Sequence, residues 1–355
     1  MRLSDCVRFF SSATSDDKDR LAGNISVASN ASRILCQILC KVNLYSGLGK
    51  PVEFIAELAA PILLGLLHGS LCTLMGIGLT ITFSVTRVLN FAHAELVTLG
   101  AYATVVTVNM YGWGIGPAIA AAMVLSLVMA VVIDEAIYKP LTAKRAPDLY
   151  MMVASIGVSM VLRHLIYIFA DLNGLLNVKA RVLLLPVWFI GYGTVTNVHT
   201  YAVPGALVIA AALHVFLTRT LTGKLMRAVS DNVMLARASA VPVMNIRRLA
   251  WAAAGAMAGL AGAVWAVYSP VTPNVGWGLL PRMFASSIIG GLTSFSGTFL
   301  GAYIVGFAEN LGIFLANYFF GTPLEYRGII TFVIVAVMLL WRPAGVLARR
   351  GGNGR

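Results

Sequence analysis

Long stretches without acidic or basic residues alternate with short polar segments along most of this chain. Four of these stretches have no charged residue and a fifth has only Glu309; they are 58–86, 96–133, 182–218, 249–281 and 296–324. Inside hydrocarbon, the backbone must satisfy its own hydrogen bonds, which an α-helix does within one segment. The pattern therefore predicts an all-α polytopic membrane protein.

Dividing these stretches at Gly, Pro and charged clusters predicts about eight or nine transmembrane or partly re-entrant helices, since a span takes roughly 20 apolar residues. The segments interpreted as full spans are 60–85, 117–137, 148–170, 201–220, 249–269, 296–317 and 326–341. Two further segments, 90–110 and 281–293, are shorter or interrupted by Gly, and we expect broken or re-entrant helices there. Three Gly-xxx-Gly pairs, which begin at Gly65, Gly255 and Gly297, favour close helix packing.

The composition supports the membrane class. Of 355 residues, 59% are apolar and 11% are charged, whereas soluble domains are about 45–50% apolar and about 25% charged. So few charges could not cover the surface of soluble domains, and the disordered, collagen-like and disulfide-stapled classes are excluded. A net charge of +12 is typical of basic cytoplasmic loops in a membrane protein, so we expect a lipid bilayer and no nucleic acid as partner.

Basic residues concentrate in the segments 139–147 and 219–248 and in the tail after Trp341, whereas the alternate loops contain only Lys179 and Arg181. Because basic loops stay on the cytoplasmic side, we expect a multi-pass protein of the plasma membrane with a cytoplasmic C-terminus. Residues 1–52 are polar, and we expect a disordered extension or a start-site artefact. Residues 53–348 are the predicted transmembrane domain, and 349–355 form a basic tail.

A few polar residues interrupt the apolar segments. Asn90, His93 and Glu95 lie between two apolar runs, and Glu309 lies in the middle of another. Ionisable groups at membrane depth usually face a cavity or a partner, which favours a translocation path or a hinge. The alternatives are an interfacial helix cap for the first three, with Glu95 near a helix N-terminus, and a hydrogen-bonded structural role for Glu309.

Other polar side chains have structural interpretations. We expect Arg163 to lie at a helix end and to reach the membrane interface with its long side chain. His68 is expected to form an interhelical hydrogen bond. Asp134 and Glu135 precede Lys139 closely enough for local ion pairs.

The segment 222–248 is long, basic and amphipathic. Its residues Leu225, Val229, Val233 and Ala236 are spaced like one face of a helix, which Pro242 then ends or bends. A short helix that lies along the membrane and joins two spans suits docking on another protein. A membrane-surface helix is the alternative.

The chain lacks the sequence motifs of catalysis. It has no GxxxxGK[ST], HExxH, GxSxG or GxGxxG motif, and its four cysteines include no CxxC pair. We therefore expect no catalytic residue, no metal site and no cofactor in this chain. If ATP drives its activity, another chain hydrolyses it.

Four segments, in order, resemble the LivH-type permeases of branched-chain amino acid ABC importers. The stretch from Leu89 to Glu95 is similar to the family's INFAHGE motif, and residues 223–248 are similar to its coupling loop, GxxxRAxxxxxxxAxxxGI. Residues 290–309 resemble its GGxGSxxGAxxGG…GxxE stretch, and residues 341–347 resemble its P-x-G-[IL]-[LF] ending. Ala94 and Ala240 stand where the family has Gly.

The resemblance implies a permease subunit in the inner membrane of a prokaryote, with Asn90, His93, Glu95 and Glu309 as candidates for the translocation path or its gating. It implies coupling to ATPases through the loop, for which the candidate residues are Gly223, Arg227, Asp231, Ala236 and Ala240. The implied partners are two ATP-binding subunits, which bind ATP and Mg, a second permease subunit (a related chain or a second copy) and an extracytoplasmic solute-binding protein.

Other functions have to be weighed against this one. A urea or short-chain amide permease shares the same motifs. A stand-alone channel or secondary transporter would work without ATPases and would need a coupling-ion site, for which His93, Glu95 and Glu309 are candidates. A membrane-embedded enzyme would need a nucleophile or a metal set. The long amphipathic loop at 222–248 favours the ABC permease.

Overall fold

The computed structural model describes residues 50–190 and 193–341, which are almost entirely helical. The helices are α1 (Lys50–Thr86), α2 (His93–Asn109), α3 (Ile115–Ile133), α4 (Lys139–Ala143), α5 (Asp148–Leu172), α6 (Asn197–Arg219), α7 (Leu221–Asp231), α8 (Val233–Ala238), α9 (Val243–Tyr268), α10 (Val275–Gly290), α11 (Phe295–Phe320) and α12 (Arg327–Trp341). A π-helical turn, Asp134–Tyr138, joins α3 to α4, and a 3₁₀ turn, Leu324–Tyr326, precedes α12.

Within the described residues, six helices are long and apolar enough to cross a membrane by length and composition. They are Glu57–Thr86, Ile115–Ala143, Asp148–Leu172, Asn197–Arg219, Val243–Tyr268 and Phe295–Phe320. Three apolar helices are shorter: α2 has 17 residues, α10 has 16 and α12 has 15. The predicted all-α polytopic membrane fold is confirmed.

The helix predicted at 326–341 is found as α12, and one predicted segment needs correction. The interrupted segment predicted at 281–293 forms α10, which begins earlier, at Val275, because Pro281 is accommodated inside the helix instead of limiting it.

The chain ends and one loop also differ from expectation. Residues 50–52, predicted as part of the polar extension, belong to α1, whereas 1–49 and 342–355 lie outside the described residues. The loop between α5 and α6 contains an antiparallel hairpin of β1 (Pro186–Ile190) and β2 (Gly193–Thr196), which was not predicted.

Helices α1 and α9 form the centre of the bundle. The membrane-spanning windows of α1 and α9 are 78% and 67% buried, whereas those of α3, α5 and α6 are 17–22% buried. The short helix α2 is also buried along most of its length. The peripheral helices therefore present apolar side chains outwards, as expected for a protein surrounded by lipid.

Glycines bring the central helices into backbone contact. A Cβ on Gly259 of α9 would lie 2.4 Å from the carbonyl oxygen of Ala122, and one on Gly306 of α11 would lie 2.5 Å from the backbone nitrogen of Gly69. The three predicted Gly-xxx-Gly pairs all lie at such interhelical contacts. In lipid, where apolar burial does not drive association between helices, this close packing holds the bundle together.

Helices α2 and α10 both begin inside the bundle. The Nε2 atom of His93, the first residue of α2, lies 3.1 Å from the carbonyl oxygen of Met75. At 1.5 Å per residue, Met75 lies roughly 16 Å from the end of α1. In the first turn of α10, the amide of Gly276 donates to Thr98 Oγ1 of α2 at 3.0 Å. The two broken segments predicted from the sequence therefore meet each other.

An ion-pair cluster closes the end of the bundle that carries the basic loops, here termed the basic end. Lys139 pairs with Glu135 at 2.5 Å, as predicted. Asp134 does not pair locally; its Oδ1 accepts from Arg247 Nη2 of α9 at 2.7 Å, and both side chains are buried. The local interpretation failed because α3 and α9 pack side by side, which brings Arg247 to the π-helical turn.

The predicted amphipathic helix of 222–248 is two helices. Asn232 ends α7 and caps α8, since its Oδ1 accepts from the amide of Leu235 at 3.0 Å. Pro242 does not end a helix; it precedes the first residue of α9. Between α8 and Pro242, Ala240 adopts a φ of 57°, in the left-handed region that disfavours residues with a Cβ by about 1–2 kcal/mol.

Replacing Ala240 with Gly is expected to stabilise the protein by about 1 kcal/mol, because glycine adopts this conformation without the Cβ penalty. The measurement is thermal or denaturant unfolding of the detergent-purified protein. Ala228→Gly, on the exposed side of α7, is the matched control and is expected to destabilise by about 1 kcal/mol. Equal destabilisation by both changes would contradict the strain at Ala240.

Candidate functional site

Glu95 lies in a buried ion pair that joins two helices. The carboxylate is in the first turn of α2 and is fully buried. Its Oε1 accepts from Arg163 Nη2 at 2.7 Å, from Arg163 Nε at 3.0 Å and from Ser159 Oγ at 3.1 Å. Arg163 is in the middle of α5, so its predicted place at a helix end is wrong. The dense hydrogen bonding offsets the desolvation of both charges.

The same pair also contacts α10. The Arg163 guanidinium lies over the ring of Trp277, 4.3 Å from its centroid. Thr98 Oγ1 donates to Glu95 Oε2 at 3.4 Å and accepts from the Gly276 amide. The Glu95–Arg163 ion pair and Thr98 therefore link α2, α5 and α10 at the point where α2 and α10 begin inside the bundle.

A polar seam holds α5 on the bundle. Ser155, Ser159, Arg163 and Tyr167 follow one another at four-residue intervals, so they share one face of the helix. Ser155 Oγ accepts from the amide of Phe91 at 3.3 Å, and Tyr167 Oη accepts from the Asn274 side chain at 2.6 Å. Much of the remaining surface of α5 is exposed and apolar. Polar contacts near the starts of α2 and α10 thus join the buried apolar residues Met151, Ile166 and Ala170 in attaching this helix.

Asn90 and His93 are buried at the turn between α1 and α2. Asn90 Oδ1 accepts from Tyr138 Oη at 2.9 Å and from the amide of Ala92 at 3.0 Å. Glu95 lies in the first turn of α2, as the helix-cap alternative expected, while Ala92, the residue before α2, makes no side-chain cap. Among the described residues, Asn90 Nδ2 and His93 Nδ1 have no hydrogen-bond partner. These two nitrogen atoms of the turn are therefore available for further hydrogen bonds inside the bundle.

Glu309 forms a second buried ion pair. Its Oε1 accepts from Arg282 Nη2 at 2.6 Å, and its Oε2 accepts from Arg282 Nε at 2.9 Å. His68 makes the expected interhelical hydrogen bond next to it, accepting from Asn310 Nδ2 at 3.0 Å. The geometry brings Asn90, His93 and Glu95 together around the start of α2 and places Glu309 in a separate pair between α10 and α11.

Sequence reasoning missed Arg163 and Arg282 as partners of these carboxylates. Both arginines adjoin or interrupt apolar segments, and a carboxylate at membrane depth requires a nearby cation. The signal that would have found them is this charge matching across segments.

Helices α7 and α8 form a layer across the basic end. Gly223 and Ala236 face inwards; a Cβ on Gly223 would lie 2.5 Å from Leu217 Cα. Arg227, Asp231 and Ala240 are exposed. Of the five candidate coupling residues, two are therefore packed within the chain and three are accessible to a partner.

The exposed face of this layer combines charge with apolar side chains. Met234 is 75% exposed and Leu235 is 65% exposed on α8, and Arg227 and Asp231, one turn apart on α7, are exposed as well. Exposed apolar side chains rimmed by charges are typical of a protein-docking surface. We refer to these four residues as the docking face.

A hydrophobic cluster ties the layer to the central helix. Met226 and Val229 of α7 and Ala236 of α8 pack into the same cluster as Ile77 and Ile81 of α1. At the end of α1, the Arg87 guanidinium donates to the carbonyl oxygen of Ser230. The α7–α8 layer is thus packed directly on α1, the helix that leads to Asn90 and His93.

The chain matches a family model described as "Branched-chain amino acid transport system / permease component" over residues 62–339. This protein belongs to that permease family. The matched region contains both ion pairs, the broken helices and the α7–α8 layer. The resemblance found in the four sequence motifs is confirmed.

Curated relatives of the permease agree with this assignment. The chain is 29% identical to a probable LivH permease protein of Methanocaldococcus jannaschii over 288 residues, 79% of this chain and 90% of the relative. It is 25% identical to the BraD permease protein of Pseudomonas aeruginosa and 24% identical to LivH of Escherichia coli, each over 80% of this chain and 94% of the relative. The relatives are named as branched-chain amino acid transport permeases.

Membership of this family establishes the general role of the chain. It is a transport permease subunit of the ABC importer type, and it is a multi-pass inner-membrane protein. This assignment favours the ABC permease over the stand-alone channel, secondary-transporter and membrane-enzyme alternatives.

Replacing Arg163 with Met is expected to destabilise the permease by about 3–5 kcal/mol, because Glu95 is then a buried, unpaired charge. The double variant Glu95→Gln/Arg163→Met is expected to recover most of this loss, since it removes both charges. Thermal unfolding in detergent measures the stability of the two single variants, Arg163→Met and Glu95→Gln, and of the double variant. If the double variant is as unstable as the sum of the two single variants, the two side chains are not coupled and the ion-pair interpretation fails.

Proposed function

We propose that this permease forms the translocation path for branched-chain or closely related amino acids, and that separate ATPase subunits drive it. The observation that carries this proposal is the exposed docking face on the α7–α8 layer. The inner side of the same layer packs on α1 through one hydrophobic cluster. The names of the relatives support the substrate class.

The proposed orientation places the basic end in the cytoplasm. Arg227, Lys224 and Arg237 of the α7–α8 layer are exposed there, and basic segments are retained on the cytoplasmic side. The C-terminus is proposed to lie on the same side. The ends of α1 and α6 and the start of α9 are proposed to face the ATPase subunits there. The opposite end of the bundle then faces the solute-binding protein.

The proposed mechanism is a population shift between two states of the path. The ATPases, which bind ATP and Mg, contact the docking face and change its position. Because ATP binds one state more tightly than the other, it shifts the equilibrium between inward-facing and outward-facing states. The cluster around Ile77 and Ile81 passes the displacement to α1 and to the turn at Asn90.

The start of α2 is the proposed moving part of the path. Asn90 and Glu95 contact Tyr138 and α5 there through hydrogen bonds and one ion pair, beside a close contact between Gly276 of α10 and the carbonyl oxygen of Ala94. Polar contacts of this kind have alternative partners, whereas a close-packed glycine contact has none. Glu309 holds the neighbouring α10 to α11 and is proposed to set the position of α10 during gating.

Partner subunits complete the proposed transporter. The six long spans found among the described residues leave broad apolar faces on α3, α5 and α6, and a second permease subunit, related or identical, is proposed to cover part of them. No cofactor is proposed for this chain itself.

Charge substitution on the docking face is expected to disrupt ATPase binding. In Met234→Asp/Leu235→Asp, two desolvated carboxylates would replace the apolar contacts, so we expect loss of co-purifying ATPase subunits and at least a tenfold fall in ATP-driven uptake, on the order of one interface hot spot. Arg227→Ala/Asp231→Ala is expected to weaken the complex less, because exposed charge pairs contribute little.

Lys144→Ala is the matched control for this experiment. Lys144 is exposed on another loop at the basic end, and its replacement is expected to leave co-purification and uptake unchanged. Unchanged ATPase binding in the docking-face variants would contradict the proposed role of α7 and α8.

A further inference from the structure

A group of polar side chains meets at the end of the bundle opposite the α7–α8 layer. Five helices contribute to it, through His68, Tyr268, Arg282, Asn310 and Arg327. The rings of His68 and Tyr268 meet edge to face at 5.9 Å, and Asn310 Nδ2 donates to His68 at 3.0 Å. Arg282 and Arg327 lie within electrostatic range of both rings. We refer to these five residues as the outer polar cluster.

The outer polar cluster has an excess of positive charge. The charge of Arg282 is neutralised by its bidentate ion pair with Glu309. In the part of the chain that the structure describes, Arg327 forms no ion pair. A half-buried guanidinium without a counter-charge is unfavourable in an apolar surrounding, so the cluster is suited to an anion.

Hydrogen-bonding capacity is also unused here. Arg327 Nε, Thr331 Oγ1 and Asn310 Oδ1 are buried atoms with no hydrogen-bond partner within residues 50–190 and 193–341. The side chains of Asn310 and Thr331 are 98–99% buried, with relative exposures of 2% and 1%. Buried polar atoms in native proteins are nearly always satisfied, so these atoms point to a polar ligand.

Helix α12 positions two of these atoms on the cluster. Thr331 follows Arg327 by one helical turn, so both lie on the same face. The neighbouring Ile330 packs on Gly312 of α11, where a Cβ would lie 3.2 Å from its side chain. Helix α12 thus packs on the face of α11 that carries Gly312 and, three residues before it, Glu309.

We propose that the outer polar cluster binds the α-carboxylate of the transported amino acid, with Arg327 as its cationic ligand. The carboxylate accepts from Arg327 Nε and from Thr331 Oγ1, as two charge-assisted hydrogen bonds. Since neutral urea or an amide would leave Arg327 without a counter-charge, this assignment favours amino acids over the amide substrates that the sequence motifs leave open.

This inference rests on the proposed function, and the test separates the two. The permease is reconstituted with its ATPases and binding protein in proteoliposomes, and ATP-driven uptake of L-leucine is measured for the wild type, Arg327→Gln, Arg327→Lys and Thr331→Ala. Arg181→Gln is the matched control, since Arg181 is an exposed arginine in the loop between α5 and α6.

Arg327→Gln is expected to reduce uptake on the order of ten- to a hundredfold, which corresponds to loss of a charge-assisted hydrogen bond. Arg327→Lys is expected to retain most of the uptake because it keeps the charge, and Thr331→Ala to lose severalfold. Arg181→Gln is expected to stay within about twofold, because an exposed charge contributes little.

A second readout does not depend on transport. Millimolar L-leucine and 4-methylpentanoate, which share the carboxylate, are expected to raise the melting temperature of the purified complex, and L-leucinamide, which lacks it, is not. Arg327→Gln is expected to abolish the shift. Full leucine uptake by Arg327→Gln, or equal stabilisation by leucinamide, overturns the carboxylate site and leaves the proposed function standing. Absence of ATP-driven uptake in the wild type contradicts the proposed function, and the stabilisation assay still decides the site.

Discussion

A charge inside an apolar helix bundle needs a partner, and this requirement organises the permease. Glu95, Asp134 and Glu309 each pair with an arginine from another segment, and the three pairs connect α2 to α5, the π-helical turn to α9, and α10 to α11. Because an unpaired charge at such a site costs several kcal/mol, each pair fixes which segments are neighbours. The short helices α2 and α10, which are too short to span by themselves, are located chiefly by these pairs.

The bundle uses two kinds of helix contact. Glycine contacts such as Gly100 against Gly259 bring backbones within direct contact, and packing of this density does not slide without opening voids. The polar seam of α5 is different, since each of its hydrogen bonds has other possible partners when the helix shifts. The protein therefore combines a rigid core of α1, α2, α9 and α11 with a peripheral helix whose attachment is exchangeable.

The sequence predicted the class, the order of the long spans and the two broken segments, because hydrophobic runs and charge clusters are local signals. The small-residue pairs were also predictable as contacts. Partners across the bundle were not, because which cation reaches Glu95 depends on the packing of α5 on α2. Likewise, the amphipathic pattern of 222–248 indicated a helix. It did not indicate the break at Asn232, because the apolar residues before and after Asn232 keep nearly the same helical spacing.

For the candidate site, the residues found from the sequence are the carboxylates and their neighbours, which stand out in apolar runs. Arg327 did not, because it lies at the edge of a span, where a basic residue is ordinary. Its guanidinium is half-buried only because five helices pack together around it, which the folded structure reveals. Residues whose importance depends on such convergence carry no signal in a single sequence.

Helix α1 has 37 residues, so at 1.5 Å per residue it is a rod about 55 Å long, longer than the roughly 30 Å of hydrocarbon. Near one end it touches the α7–α8 layer, further along it contacts His93, and beyond that it carries His68. The rod therefore acts as a lever with several points of contact. A tilt of about 5° around its middle, where His68 lies, would displace the end at the α7–α8 layer by roughly 2 Å and leave His68 almost in place, so the outer polar cluster would lie at the pivot of the lever.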